Sequence, residues 1–481
     1  MAGIGFRLPD KVAGKSLLAG LKGYFYAAFL VAGPWLMSIL TIFLISSACQ
    51  LTSAETSTFR ISVVYLYSLS LIFTGLYQMP LTRFISDEIF KKRVSSLIPA
   101  FLKMSKIVLL FSIFSGIALI GYIPMSTAFR LTFVAALSII NLIWLSNIFL
   151  TCLSDYQSIS LIHLLGALAG FSGAWFFQGR FGLEGAFSGF VLGQAIMLLG
   201  IIIRIIHEIP FSSHYYDISI ISVLRKYILF LWIGFTYNLG IWVDKMMFWM
   251  SPFGEKICGI LFSFDLFDTA AFFSYVTVVP ALSVLFYHVE TSFHEAYRNF
   301  YGAINFRQSF TTIENCNRDL LTVLKKTLLK MFKVQFPITI FFIVFAPEIF
   351  EKIGYPEEMI TPFRLACSGS FFQSFFLLTF LLLLYFDFPF DALVSSSVYL
   401  FCNIAVNSFV IGYSRSDLAG LSFLIAAVLA FVLSWYLLHK RISDLIYITY
   451  MKFPMPEEAD IDERMIDADG RIGETIYIRT F

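Results

Sequence analysis

Charge is what this chain has least of. Asp, Glu, Lys and Arg make up 14% of 481 residues, against 58% hydrophobic residues, and the mean hydropathy is +0.80. That balance leaves too little polar surface for a soluble globule. A formal net charge of +2 also provides no basic field for nucleic acid, so no nucleic-acid partner is expected. Cysteine is sparse: Cys49, Cys152, Cys258, Cys316, Cys367 and Cys402 lie apart with no CxxC spacing, so neither a metal site nor a redox motif is indicated. They read as small apolar packers, with a disulfide between Cys49 and Cys258 the one pairing left open. Enzyme motifs are missing too. Gly14-Lys15-Ser16 resembles the end of a phosphate loop, but Pro9 stands where its first glycine belongs. His294-Glu295 is followed by Arg298 where a zinc helix needs His, and no Gly-x-Ser-x-Gly elbow occurs. Asp460-Ile461-Asp462 and Asp467-Ala468-Asp469 have a metal-holding spacing, but in a tail too short for a glycosyltransferase domain. The expectation is a non-enzyme with no metal and no cofactor.

What the chain has is long apolar runs. A hydrocarbon core about 30 Å thick takes roughly 20 residues of helix, and only helices or closed barrels satisfy the backbone inside it. The runs predict an all-α polytopic membrane protein of about 12 transmembrane helices, near residues 24–48, 60–81, 105–123, 130–153, 159–178, 184–206, 227–250, 264–289, 329–350, 362–386, 391–412 and 419–439. The first run is span-length with no cleavage site after it, so it is expected to stay rather than act as a cleaved signal. With that numbering, 26 of the 34 Lys and Arg residues fall in one set of loops and seven in the other, which places both termini in the cytoplasm.

The loops repeat. A long basic loop follows the second run, with Arg83, Lys91, Lys92, Arg93 and Lys103, and a five-residue loop, 154–158, follows the fourth. In the second half a long basic loop, from Glu290 to about Lys330, follows the eighth run, and a short one, Asp387 to Asp391, follows the tenth. Two six-helix lobes, 1–206 and 227–440, are expected, joined by a cytoplasmic linker at 207–226 and followed by a cytoplasmic tail at 441–481. Repeats of this kind place substrate between them near the midplane. The tail carries eight acidic and two basic residues between Glu457 and Glu474, a solvated arm or a partner-docking segment. Phe293, Tyr297, Phe300 and Tyr301, among Glu290, Glu295 and Arg298, suit an amphipathic helix on the bilayer surface.

Charges inside spans are functional candidates, because each costs about 2.5–3.5 kcal/mol at a helix centre. Asn238, Trp242, Lys245 and Trp249 recur at spacings of four, three and four and share one face of the seventh helix. Amide, indole and ammonium on one face suit a saccharide, with rings for pyranose stacking and polar tips for hydroxyls; an interfacial aromatic belt is the alternative. Asp244, about 100° round the helix, is not expected to neutralise Lys245. Asp265 and Asp268 lie one turn apart in the eighth helix, either facing Lys245 or at the rim, and Pro280 bends that helix. Gly33-Pro34-Trp35 breaks the first helix, so Pro34 and Trp35 join the candidate path, as does Glu290. His163 reads as a packed polar side chain.

The opening Met1-Ala2-Gly3-Ile4-Gly5-Phe6, the Gly33-Pro34-Trp35-Leu36 break, Leu239-Gly240-Ile241-Trp242-Val243-Asp244-Lys245 with Phe248-Trp249, and Pro280 followed by Glu290-Thr291-Ser292-Phe293 resemble the PelG family. The resemblance runs from residue 1 to about 450 and departs at Arg7 to Asp10 and in the tail. It implies a flippase-like protein of the multidrug, oligosaccharidyl-lipid and polysaccharide exporter superfamily, set in the bacterial cytoplasmic membrane. It implies PelD-like and PelE-like membrane partners and a cytosolic PelF-like glycosyltransferase, exporting a polysaccharide rich in N-acetylgalactosamine. It also lends weight to Trp242, Asp244 and Lys245. A lipid-linked saccharide flippase, a cation-coupled antiporter of the same fold, or a scaffold that moves nothing remain open at this point.

Overall fold

The computed structural model describes residue 33 and residues 36–152, 156–209 and 219–452. Pro34, Trp35, the middle of the expected linker and the acidic tail lie outside the described residues. Among the described residues the chain is helical almost throughout. In the first half run α1 (Leu36–Ala48), α2 (Ser53–Phe90), α3 (Leu97–Ile120), α4 (Thr127–Cys152) and α5 (Tyr156–Glu208). The second half holds α6 (Ile220–Lys226), α7 (Ile228–Trp249), α8 (Asp265–Thr277), α9 (Val279–His288), α10 (His294–Asn305), α11 (Phe310–Val344), α12 (Ala346–Ile353), α13 (Ile360–Tyr385), α14 (Pro389–Gly412), α15 (Leu421–Ser443) and α16 (Leu445–Lys452). Among the described residues nine helices are long and apolar enough to cross a bilayer, or ten when α6 and α7, bent 81° against each other, count as one. This is a multi-pass membrane protein.

Several boundaries differ from the sequence expectation for one reason: hydropathy marks where a helix meets lipid and not where it ends. The basic segment after the second run is not a long loop, since α2 continues to Phe90 and α3 begins at Leu97. Likewise α11 starts at Phe310, well before the apolar run at 329, and carries its lysines on helix. The expected surface helix is α10, but its aromatic face turns inward. Phe293, Phe300 and Tyr301 are buried, and Phe293 meets Tyr385 and Phe386 edge-on at the end of α13. The fifth and sixth runs form one helical stretch, reversed at Gly182, whose φ of 54° and ψ of −131° suit a residue without a Cβ. The two arms touch through a small-residue seam: a Cβ on Gly189 would lie 2.0 Å from the Ala174 nitrogen, and one on Gly193 2.5 Å from the Gly166 carbonyl oxygen. Between α8 and α9 the helix breaks at Val278, with Pro280 in the first turn of α9, where a missing N–H costs least.

Two packed cores form in residues 45–227, and three draw their buried members from residues 233–445. The two parts of the chain meet chiefly along α2 and α7, which run antiparallel. A short hairpin, β1 (Glu255–Cys258) and β2 (Leu261–Ser263), follows α7. Its turn at Gly259 sits so close to the α3–α4 connection that a Cβ there would lie 2.1 Å from the Tyr122 carbonyl oxygen. Cys49 and Cys258 both contribute to the core beneath that hairpin and are free thiols, as are the other four cysteines.

Candidate functional site

The seam between α2 and α7 has three levels. At its middle, Gly75 and Gly234 bring the two backbones together: a Cβ on Gly234 would lie 2.2 Å from the Gly75 carbonyl oxygen, and one on Gly75 2.7 Å from that of Gly234. Small residues permit this approach, and close backbone packing is what holds helices together where lipid removes the hydrophobic drive. Asn238, half-buried, lies one turn on and donates to the Gly234 carbonyl at 3.0 Å.

At the end bearing Glu55 and the hairpin, Tyr65 of α2 stacks on Trp249 of α7 with ring centroids 4.7 Å apart and planes 19° apart. The Trp249 indole N–H donates to Asp268 at 2.8 Å, and the Phe262 N–H donates to the Tyr65 hydroxyl at 3.2 Å. A carboxylate, an indole, a phenol and a hairpin backbone thus form one chain of contacts across the halves. At the opposite end the Tyr227 hydroxyl donates to Asp87 of α2 at 2.5 Å and accepts from Lys226 at 2.7 Å. Arg83, one turn before Asp87, lies 3.6 Å from it and 3.8 Å from Asp387 in the α13–α14 turn. The two closures stand at opposite ends of α7, about 33 Å of helix by its rise per residue.

Off the seam is a buried ion pair. Lys245 Nζ lies 3.2 Å from Asp244 Oδ1 and 3.4 Å from Oδ2, and Lys245 and Asp244 are 6% and 0% exposed. The expectation that Asp244 does not neutralise Lys245 is therefore overturned. Their Cβ atoms do point 100° apart, but the four-carbon lysine stem is long enough to bend back, and Asp244 Oδ1 also accepts the Lys245 backbone N–H at 2.8 Å. Three aromatic faces enclose the ammonium: Tyr275 at 5.3 Å, Phe267 at 5.5 Å and Trp242 at 5.8 Å from the ring centroids. From α14, Asn403 donates to the Gly240 carbonyl and Asn407 to the Asp244 carbonyl, each at 3.0 Å, which clamps α7 against α14 over one turn.

The candidate residues thus fall in three places. Trp242, Asp244 and Lys245 come together. Trp249 and Asp268 join each other in the hairpin-end closure rather than the ammonium, because Trp249 is almost fully buried on that side. Asp265 is exposed in the first turn of α8. Glu290, half-buried, sits in a π-helical turn, Val289–Phe293, about 30 Å of helix from Asp268. His163 is buried with Nδ1 2.8 Å from the Ile159 carbonyl oxygen, a packed polar side chain. Tyr65, Arg83, Asp87, Tyr227, Tyr275 and the α14 asparagines were missed. Asn403 and Asn407 at a spacing of four, two amides on one face of an apolar helix, are a signal that the sequence did carry. An open apolar groove of about 450 Å³ lies along α14, lined by Leu393, Val394, Ser397, Val398, Phe401 and Cys402, and shares no residue with the ion pair.

The family model "PelG: Putative exopolysaccharide Exporter (EPS-E)" matches residues 1–450. No curated protein matches the sequence. Among solved structures, the chain is similar to a MOP superfamily transporter from Pyrococcus furiosus at a TM-score of 0.65 and 14% identity, covering 93% of this chain and 99% of that one. It is similar to a MATE mutant at 0.64 and 13%, covering 93% and 100%. A MATE family transporter in an outward-facing conformation gives 0.61 and 14%, covering 88% and 96%. These likenesses show the fold of a MOP-type transporter.

Proposed function

This chain belongs to the PelG family of exopolysaccharide exporters, and on that premise we propose that it moves a Pel-type polysaccharide, rich in N-acetylgalactosamine, outward across a bacterial cytoplasmic membrane. The observation that carries the reading is the family match over residues 1–450. The seam supports it. Two packed parts of the chain touch through a glycine crossing at mid-height and through polar or stacked contacts at each end, the layout a rocking exchange of end closures requires. In this reading both termini and the Asp87 end are cytoplasmic, the hairpin end is outer, and residues 1–206 and 227–440 act as the two lobes. A cytosolic PelF-like glycosyltransferase builds the polymer, and PelD-like and PelE-like membrane proteins hold it against the exporter.

The test is mild solubilisation of the tagged full-length chain from its native membrane. Recovery with a glycosyltransferase and two further membrane proteins, together with polymer synthesis that depends on nucleotide sugar, is expected. Recovery of the chain alone, carrying a lipid-linked saccharide, would replace synthase-coupled export with an independent flippase.

A further inference from the structure

The buried ion pair is not hydrogen-bonded to the seam closures, although Asp268 stands within electrostatic range of Lys245, and its surroundings are built. Lys245 Nζ is held by both Asp244 carboxylate oxygens and, at 3.3 Å, by the Ile241 carbonyl oxygen. Three ring faces complete the enclosure. Two more oxygens of the α7–α14 contact, Tyr399 Oη and Asn403 Oδ1, are buried without a hydrogen-bond partner among the described residues, and both side chains are fully buried. Tyr399 packs so closely on α7 that a Cβ on Gly240 would lie 2.7 Å from its ring, and it stands within electrostatic range of Asp244. A carboxylate, a carbonyl and aromatic faces, with unpartnered oxygens on the same helix contact, are what suits a small monovalent cation in a dry interior.

We infer that this is a monovalent-cation site whose resident cation is the chain's own Lys245 ammonium. The tether explains the geometry. A carboxylate sealed among apolar helices stays ionised only beside a counter-charge, and one supplied by the neighbouring residue cannot diffuse away. No free sodium, potassium or ammonium ion enters the native site, so α7 and α14 stay clamped whatever the ion gradient. Within the proposed export function, the energy for moving polymer then does not come from a cation exchanged at this site.

The experiment uses purified full-length protein and needs no transport. The wild type, Lys245→Met, which keeps the stem and removes the charge, and the double variant Asp244→Asn/Lys245→Met are heated in choline chloride and in sodium, potassium or ammonium chloride at constant ionic strength. The wild-type midpoint is expected to be the same in every salt. Lys245→Met should melt lower in choline and regain stability, saturably, with at least one small cation. The double variant should lose that response. A wild-type midpoint that rises saturably with a small cation would overturn the inference, as would a Lys245→Met midpoint indifferent to all three. If Lys245→Met cannot be purified, Lys245→Gln, which retains a donor for Asp244, is read against the same outcomes.

Discussion

Along the seam between α2 and α7, the glycine crossing is the contact where a single methyl group has the largest geometric effect. In Gly234→Ala the new Cβ would stand 2.2 Å from the Gly75 carbonyl oxygen, with the Gly75 carbonyl carbon at 3.2 Å and the Met79 side chain at 3.3 Å behind it on α2. Non-bonded carbon contacts settle near 3.5–4.0 Å, so α2 and α7 must part by about 1 Å or tilt about the crossing. Overpacking of this kind costs about 1–3 kcal/mol. Backbone cannot rotate out of the way as a side chain does, so the upper half of that range is expected. Gly75→Ala, with 2.7 Å to the Gly234 carbonyl oxygen, should cost less. The double variant should cost less than the sum, because one separation relieves both clashes. The assay is thermal unfolding in one detergent, paired with cysteine crosslinking of Tyr65→Cys to Phe262→Cys at one end and Asp87→Cys to Tyr227→Cys at the other. Both crosslinks should slow in Gly234→Ala. Unchanged stability together with unchanged crosslinking at both ends would refute the claim that this crossing sets the helix separation.

Trp249→Phe keeps a ring for Tyr65 but removes the N–H donated to Asp268, and should cost about 1.5–3 kcal/mol, the range for a hydrogen bond to a charged group. If chemical denaturation finds less than a few tenths, Asp268 is satisfied elsewhere. Arg441→Ala strips Asp391, which is 4% exposed, of two charge-assisted bonds at 2.6 and 3.2 Å. Because Arg441 itself is open to solvent, a loss on the order of 2 kcal/mol is expected. Adding Asp391→Asn should recover part of it in a double-mutant cycle, and a purely additive cycle would remove the pair from the account.

The sequence made the helices legible because apolar length is a one-dimensional property. Pro280 was legible as punctuation for the same reason, since it acts on its own backbone, whereas the reversal at Gly182 was not read from the sequence. What it did not show is which partner a polar side chain finds across the bundle. Trp249 shares a helical face with Lys245 by spacing, yet its indole turns to Asp268 and its ring to Tyr65, a residue almost two hundred positions away in the chain. Tyr65, Asp87 and Tyr227 are ordinary membrane-edge residues when read one at a time. They gain meaning only from the antiparallel pairing of α2 with α7. The Asp244–Lys245 error has a different origin, since helical angle locates a Cβ and says little about the tip of a four-carbon stem.

That error changes what a saccharide would meet. If the ammonium is committed to Asp244 and enclosed by three rings, the positive charge on α7 is not available to a passing polymer. Recognition along α7 would then rest on groups that remain partly open: the Trp242 indole and the Asn238 amide, both half-buried. Neutral rings and amides suit a long uniform chain, because stacking and hydroxyl contacts are exchanged from one sugar to the next without stranding a charge. Within the export reading, Trp242→Ala should therefore lower polymer secretion several-fold at equal membrane abundance, whereas Trp242→Phe, which keeps a stacking face, should retain most of it. Equal secretion from Trp242→Ala at equal abundance would take the α7 face off the path. Loss in both variants to the same degree would assign Trp242 to the cage around Lys245 instead, where the indole's size rather than its stacking face matters.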